Sequence, residues 1–286
     1  MSKQNIHIGV CGWGDHDTLY TQGVSARDKL SVYASHFPIV EIDSSFYAIL
    51  PQKNYESWVK ATPDAFRFIV KPHQVLTGHQ RNPMEKEKRA ELFVQFEESI
   101  QPLVRSGKLQ ALLFQFPPWF DCQRDHVLYV KYCVQTYAKY PIAVEFRHQS
   151  WFLPSYKQKT LEFLADIGAT HVVCDEPQAG TGSVPIVPEV TNESLSLIRF
   201  HGRNVSGWRD AGQAANWRDV RYLYRYSDDE LSEWVPRIQS LAEEAKQVFV
   251  LFNNNSGGDA ADNAKRLMQM LGIDPEGLNP RQLELF

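Results

Sequence analysis

The chain has 286 residues, 43% of them hydrophobic, and a formal net charge of −4. That length and apolar content suit one large core or two small ones, and the weak negative charge excludes a global attraction to nucleic acid or anionic membranes, leaving only local patches for such contacts. The opening MSKQNIHIGV lacks the apolar stretch of a secretory signal, no run approaches the roughly 18 apolar residues of a membrane span, and Cys11, Cys122, Cys133 and Cys174 form no C-x-x-C pair, so the expectation is a cytoplasmic protein with reduced thiols.

In chain order, eight β-rich apolar runs alternate with segments of helical period. The strands are expected at 7–13, 39–46, 67–72, 109–116, 142–148, 170–176, 196–203 and 247–255. Helices are expected at 25–37, 52–61, 83–107, 124–140, 156–168, 228–247 and 259–272. Leu92, Phe93, Phe96 and Ile100 show the spacing of a buried helical face. Gly107, Gly168 and Gly272 stand where helices should end. Residues 177–193 hold three prolines and two glycines and should form a loop. Eight such units predict an α/β fold of (β/α)8 TIM-barrel type, irregular at the sixth unit, where a loop replaces a helix. No G-x-G-x-x-G follows the first strand, which argues against a dinucleotide-binding sheet. Residues 1–272 read as one barrel domain and 273–286 as a C-terminal tail.

Polar residues gather at the C-terminal ends of these strands, which meet at one mouth in such a barrel. They are Trp13; Glu41 and Asp43; Lys71; Gln115; Glu145, Arg147 and His148, with Trp151 just beyond; Asp175; Arg199, His201 and Arg203; and Asn253 and Asn254. Within Glu41/Asp43, Glu145/Arg147 and Arg199/His201/Arg203 the members share a parity, so each set can face the lumen. Ion pairs that only neutralise one another would account for several of these charges. Four cations and four carboxylates are more than stability asks for, because apolar side chains usually serve it as well. A ligand site is the better reading.

These strand ends resemble the YecE-like proteins, a domain-of-unknown-function family, number seventy-two. The matching pieces are CGW (11–13), YASHFPIVEIDSSFY (33–47), WVKATPDAFRFIVK (58–71), LLFQFPPWF (112–120), AVEFRHQSW (143–151), RFHGR (199–203) and FNNNSGGDAADNAKRL (252–267). The resemblance implies a (β/α)8 barrel and brings no activity with it. In the second-strand motif this chain has Asp43-Ser44-Ser45 where the family usually has Asn before Ser-Thr. Residues 14–24 lack the family's common pattern and are not assigned by analogy.

Glu145, His201, Glu41 and Asp175 are the candidate catalytic residues, able to carry protons for hydrolysis, elimination or isomerisation of an anionic substrate. Trp13, Asp43, Lys71, Gln115, Arg147, His148, Trp151, Arg199, Arg203, Asn253 and Asn254 are the candidate substrate ligands, the arginines as clamps for phosphate or carboxylate. No metal-ligand spacing appears and arginines intervene, so no cofactor is expected; the extra charge of Asp43 leaves a magnesium or manganese site open. The stretch 203–230 interleaves arginines with aromatics, which suits a phosphate backbone and stacked bases. There Arg209, Trp217, Arg218, Arg221 and Arg225 are the nucleic-acid candidates, and Gly207 and Gly212 would let the loop move. The same residues could instead pack on the barrel. The last five residues, QLELF, look like the pentapeptide with which bacterial proteins dock on the sliding DNA clamp, through Gln282, Leu283, Leu285 and Phe286. The expected partners are thus an anionic small molecule or nucleic acid, with the clamp as a further partner and no membrane. The leading expectation is a barrel enzyme acting on a phosphate-containing substrate, in a repair context if that substrate is nucleic acid. The alternatives are a non-catalytic accessory recruited to the clamp and a sugar-phosphate enzyme without a DNA link.

Overall fold

The structure is a computed structural model that describes residues 5–21, 23–80, 84–209 and 220–281. Eight parallel strands close into a barrel in sequence order, β1 pairing with both β2 and β8. They are β1 Ile6–Cys11, β2 Ile39–Ile42, β3 Arg67–Val70, β4 Leu109–Gln115, β5 Ile142–Glu145, β6 Thr170–Asp175, β7 Ser196–Phe200 and β8 Val248–Phe252. The expected strands therefore exist, but most end two to four residues early. Asp43, Lys71, Arg147, His201, Arg203, Asn253 and Asn254 lie just past the last strand residue and not within the ladder.

Strand side chains alternate between the lumen and the surrounding helices. Ile69, Leu113, Ala143, Val172 and Leu197 are buried and fill the lower lumen. On the outer side Phe146 stacks on Trp151 at 3.8 Å, and Phe200 packs against Trp234 at 4.9 Å. Helices cover this wall, among them Gln52–Ala61, Lys86–Ser99, Arg124–Thr136, Lys157–Asp166, Trp234–Glu244 and Ala260–Leu271. Two expected helices are each divided. The first gives Lys86–Ser99 and Gln101–Arg105, with Pro102 in the opening turn of the second piece. The other gives Asp228–Ser232 and Trp234–Glu244, with Pro236 in that opening turn. Proline lacks the amide that would continue the preceding helix. Among the described residues no helix is long and apolar enough to cross a membrane.

No helix joins β6 to β7. The loop there buries Val184 and Val187 in place of a helical face. Thr191 Oγ1 ties it to the strand, accepting from the His171 amide at 2.7 Å and donating to the Ala169 carbonyl at 2.8 Å.

Candidate functional site

Arg199, on β7, is wholly buried at the centre of the barrel's upper layer. Its Nε and Nη2 donate to Glu41 of β2 at 2.9 and 2.6 Å, and its Nη1 donates to Glu145 of β5 at 2.5 Å. Arg147, two residues beyond β5, places Nη1 2.9 Å from Glu145 Oε1 and 2.8 Å from Glu176 Oε2. Two guanidiniums and three carboxylates thus form one almost wholly buried layer, where ionised groups persist only when paired. His201 completes it. Its Nδ1 lies 3.0 Å from the Asn253 amide nitrogen. With that amide donating, the ring proton sits on Nε2, which stands 3.2 Å from Glu145 Oε1 but off the line of a hydrogen bond.

The three carboxylates differ in charge state. Burial alone would raise Glu145, but the Arg199 and Arg147 guanidiniums outweigh it and hold the carboxyl well below its ordinary range. At Glu41 burial prevails over Arg199 and pushes the carboxyl up to about 8. At Glu176 burial likewise prevails over Arg147, raising it to about 7. Burial, helped by Arg147, holds His201 well below its ordinary value, so its ring is neutral. An acid whose folded pKa is raised stabilises the fold fully below its unfolded value, here near 4.5, and that contribution is lost as pH rises through the folded value. Glu41→Gln and Glu176→Gln are therefore expected to gain on the parent as pH climbs from about 5 to about 8. Thermal midpoints of the three proteins, taken across that range, check it; parallel curves would refute the assignment.

Above this layer the mouth opens into a cavity of 1500 Å³. Lys71, Asp43, Gln115, Arg147, Tyr222 and Asn253 border it. Lys71 Nζ lies 3.3 Å from Asp43, 3.2 Å from Gln115 Oε1 and 4.6 Å above the Phe46 ring. Trp208 supports the arginines of the mouth: its ring stacks 4.7 Å from the Arg147 guanidinium and 4.1 Å from that of Arg221. Arg221 and Arg225 also line the cavity, Arg225 being paired with Asp259 at 2.5 Å.

Of the expected site residues, Glu41, Asp43, Lys71, Gln115, Glu145, Arg147, Arg199, His201 and Asn253 do come together. Six do not. Asp175 points outward, accepting from Arg203 at 2.7 Å, Tyr226 at 2.9 Å and Trp234 at 2.7 Å. Arg203 goes with it, and both belong to a clasp between the barrel wall and the helical layer. Trp151 donates to the Phe120 carbonyl and lies in the outer aromatic stack. His148 accepts from the Ser150 amide and caps the turn Gln149–Phe152. Asn254 donates to the Tyr224 carbonyl and Asn263. Trp13 packs edge-on against Trp58 at 5.0 Å. Gly207 is not a hinge, since a Cβ there would come within 2.6 Å of the Val220 carbonyl, so this glycine permits a close approach. Trp217, Arg218 and Gly212 lie outside the described residues, as do Gln282, Leu283, Leu285 and Phe286 and the side chain of Arg209.

Glu176 was missed. It shares the lumenal parity of Cys174, and that signal was present in the sequence. Among the described residues two sets of donors come within 4.8 Å of one another, Glu145/Cys174/His201 and Cys11/Glu41/Asp43. Neither fits a cation well. Arginines already occupy Glu41 and both oxygens of Glu145, burial pushes both thiols up into their protonated form, and magnesium or manganese prefers an oxygen-only shell.

A closed (β/α)8 barrel with a polar mouth at the C-terminal ends of its strands defines the class of protein. The chain belongs to the family described as "Protein of unknown function DUF72", whose model matches residues 7–284. It is 52% identical over 281 residues to the UPF0759 protein YunF of Bacillus subtilis (strain 168), covering 98% of this chain and 100% of that one. A DUF72 family protein from Enterococcus faecalis V583 superposes with a TM-score of 0.88 at 38% identity, covering 98% of this chain and 100% of that one. One from Thermotoga maritima MSB8 does so with a TM-score of 0.80 at 31% identity, covering 94% and 99%. The membership agrees with the resemblance carried by the strand-end motifs.

Proposed function

We propose that the chain is an enzyme that binds an anionic, phosphate-containing substrate at the barrel mouth and acts on it by proton transfer, as a hydrolase, lyase or isomerase. The observation that carries this reading is the way the cations of the mouth are held. Lys71, Arg147 and Arg221 border the open cavity, while Glu145 and Glu176 fix Arg147 and Asp43 fixes Lys71. Cations held in this way meet an incoming anion without reorganisation. Ionised Glu145 and neutral His201 are the proton-carrying pair, and Asn253, which lines the cavity, touches His201 directly. Calorimetric titration with inorganic phosphate tests the binding step. Lys71→Met is expected to weaken it at least tenfold, about 1.4 kcal/mol; equal affinity in parent and variant overturns the reading.

A second reading is recruitment to a sliding DNA clamp through Gln282, Leu283, Leu285 and Phe286. Asn279, bonded to Ser31 and Ala61, and Arg281, bonded to Ser35, fix the chain to the barrel immediately before those residues. Removal of residues 282–286 is expected to abolish binding to a bacterial clamp in a direct titration. Undiminished binding, or none by the parent, removes this reading.

A further inference from the structure

Beside the mouth lies a second cavity, of 340 Å³, that the proposed reaction does not use. Its size falls at the lower end of the range of about 300–1,000 Å³ usual for small-molecule sites. Trp119, Phe120, Tyr129, His126 and Arg89 wall it. The rings are fixed in place. The Trp119 indole donates to the Gly78 carbonyl at 3.2 Å, and the Tyr129 hydroxyl donates to the Leu76 carbonyl at 3.0 Å. His126 stacks on Phe120 at 4.0 Å, its Nδ1 engaged by Asp121 at 2.9 Å.

Arg89 lies over the Tyr129 ring at 5.5 Å, and its buried Nε has no hydrogen-bond partner among the described residues. A buried donor of this kind costs free energy until an acceptor reaches it. The two cavities also share a wall residue. Trp119 borders both, and a run of ring contacts leads to it from the phosphate end of the mouth. In that run Lys71 covers Phe46, Phe46 meets His79 edge-on at 4.7 Å, and His79 meets Trp119 at 6.1 Å.

We infer that this aromatic box is a nucleobase subsite and that the substrate class of the mouth is a nucleotide, with its phosphate over Lys71 and Arg147 and its base among Trp119, Tyr129 and Arg89. The inference rests on the reading of the mouth as a phosphate site. Aromatic walls hold a base through its π-face whatever its sequence. The guanidinium and the Gln80 side chain at the rim suit the acceptor-bearing edge of a heteroaromatic ring better than a plain phenyl group. The same chemistry belongs to a free nucleotide and to the end of a nucleic-acid strand.

Quenching of tryptophan fluorescence and calorimetry would be run with four probes: inorganic phosphate, the nucleosides, their 5′-monophosphates and a 5′-phosphorylated hexadeoxynucleotide. The parent is expected to bind at least one monophosphate tenfold or more tighter than phosphate. Trp119→Ala and Arg89→Met should erase that advantage and leave phosphate affinity unchanged, whereas Lys71→Met should weaken phosphate and monophosphate together. Trp119 is 42% exposed, so its replacement is tolerated by the fold. A hexanucleotide that binds tighter than every monophosphate supports the inference with nucleic acid as the source, and one that binds no tighter supports it with free nucleotide as the source. If phosphate fails to bind while nucleosides bind in an Arg89-dependent way, the phosphate reading falls and the base subsite stands. Monophosphates no tighter than phosphate, or an advantage that survives both box variants, overturns the inference.

Discussion

Arg199→Met is expected to destabilise the protein by about 3–5 kcal/mol, the usual cost of removing one partner from a buried ionic group. The side chains are similar in length, so lost packing is minor and the effect is electrostatic. Arg199 is the shared partner of Glu41 and Glu145, neither of which touches water. Without it, Glu145 keeps Arg147 while Glu41 loses the one cation at ion-pair distance among the described residues. For a chain of this size the loss corresponds to a fall in thermal midpoint of roughly 5–8 °C. Without the guanidinium Glu41 is expected to take up a proton, so Glu41→Gln should cost little in the Arg199→Met background and more in the parent, where it removes an acceptor from Arg199. A double-mutant cycle by urea unfolding checks this. Strictly additive effects would mean that Arg199 and Glu41 do not depend on one another.

The second large effect is expected at Asp175, with the opposite functional signature. Its carboxylate is buried and accepts from the Arg203 guanidinium, the Tyr226 hydroxyl and the Trp234 indole. Asp175→Ala would leave all three donors without their acceptor, again at a cost of about 3–5 kcal/mol. Phosphate affinity at the mouth should stay within about threefold of the parent, less than 1 kcal/mol, because among the described residues no hydrogen bond or ion pair runs from this clasp to Lys71 or Arg147. Unfolding curves and phosphate titrations on the same preparation decide it. A variant as stable as the parent that no longer binds would return Asp175 to the site.

These two residues also mark how far the sequence could be read. The barrel was legible because eight apolar runs each carried their own period and turn signals, and the charged strand ends were legible because ionisable groups are rare beside such runs. The side of the wall each group faces was harder to read. Asp175 and Glu176 are adjacent, so one step of parity puts the first among the helices and the second in the lumen, and sequence alone favours the more strand-like Asp175. Arg203 was placed by counting in twos from Arg199. Counting holds only while the chain is extended; β7 ends at Phe200, and Gly202 has a φ of 81°, which turns the backbone and carries Arg203 outward. Trp151 and His148 were misplaced for the same reason, because β5 ends at Glu145 and a helical turn begins at Gln149. The aromatic box left no trace in the motifs, since it is assembled from the stretches around 75–89 and 119–129, which meet only when the helices pack.

The ionic layer also dictates an order of assembly. Glu41 and its guanidinium partner are 158 positions apart, and β1 cannot close the ring until β8 has left the ribosome. A growing chain that stops short of residue 199 has the carboxylates of the layer but not its central cation. Glu41 then has no guanidinium partner, and burying it is costly until residue 199 arrives. Contacts so distant along the chain slow folding. The same charges that lock the finished molecule would therefore help keep its unfinished forms from closing on the wrong partner.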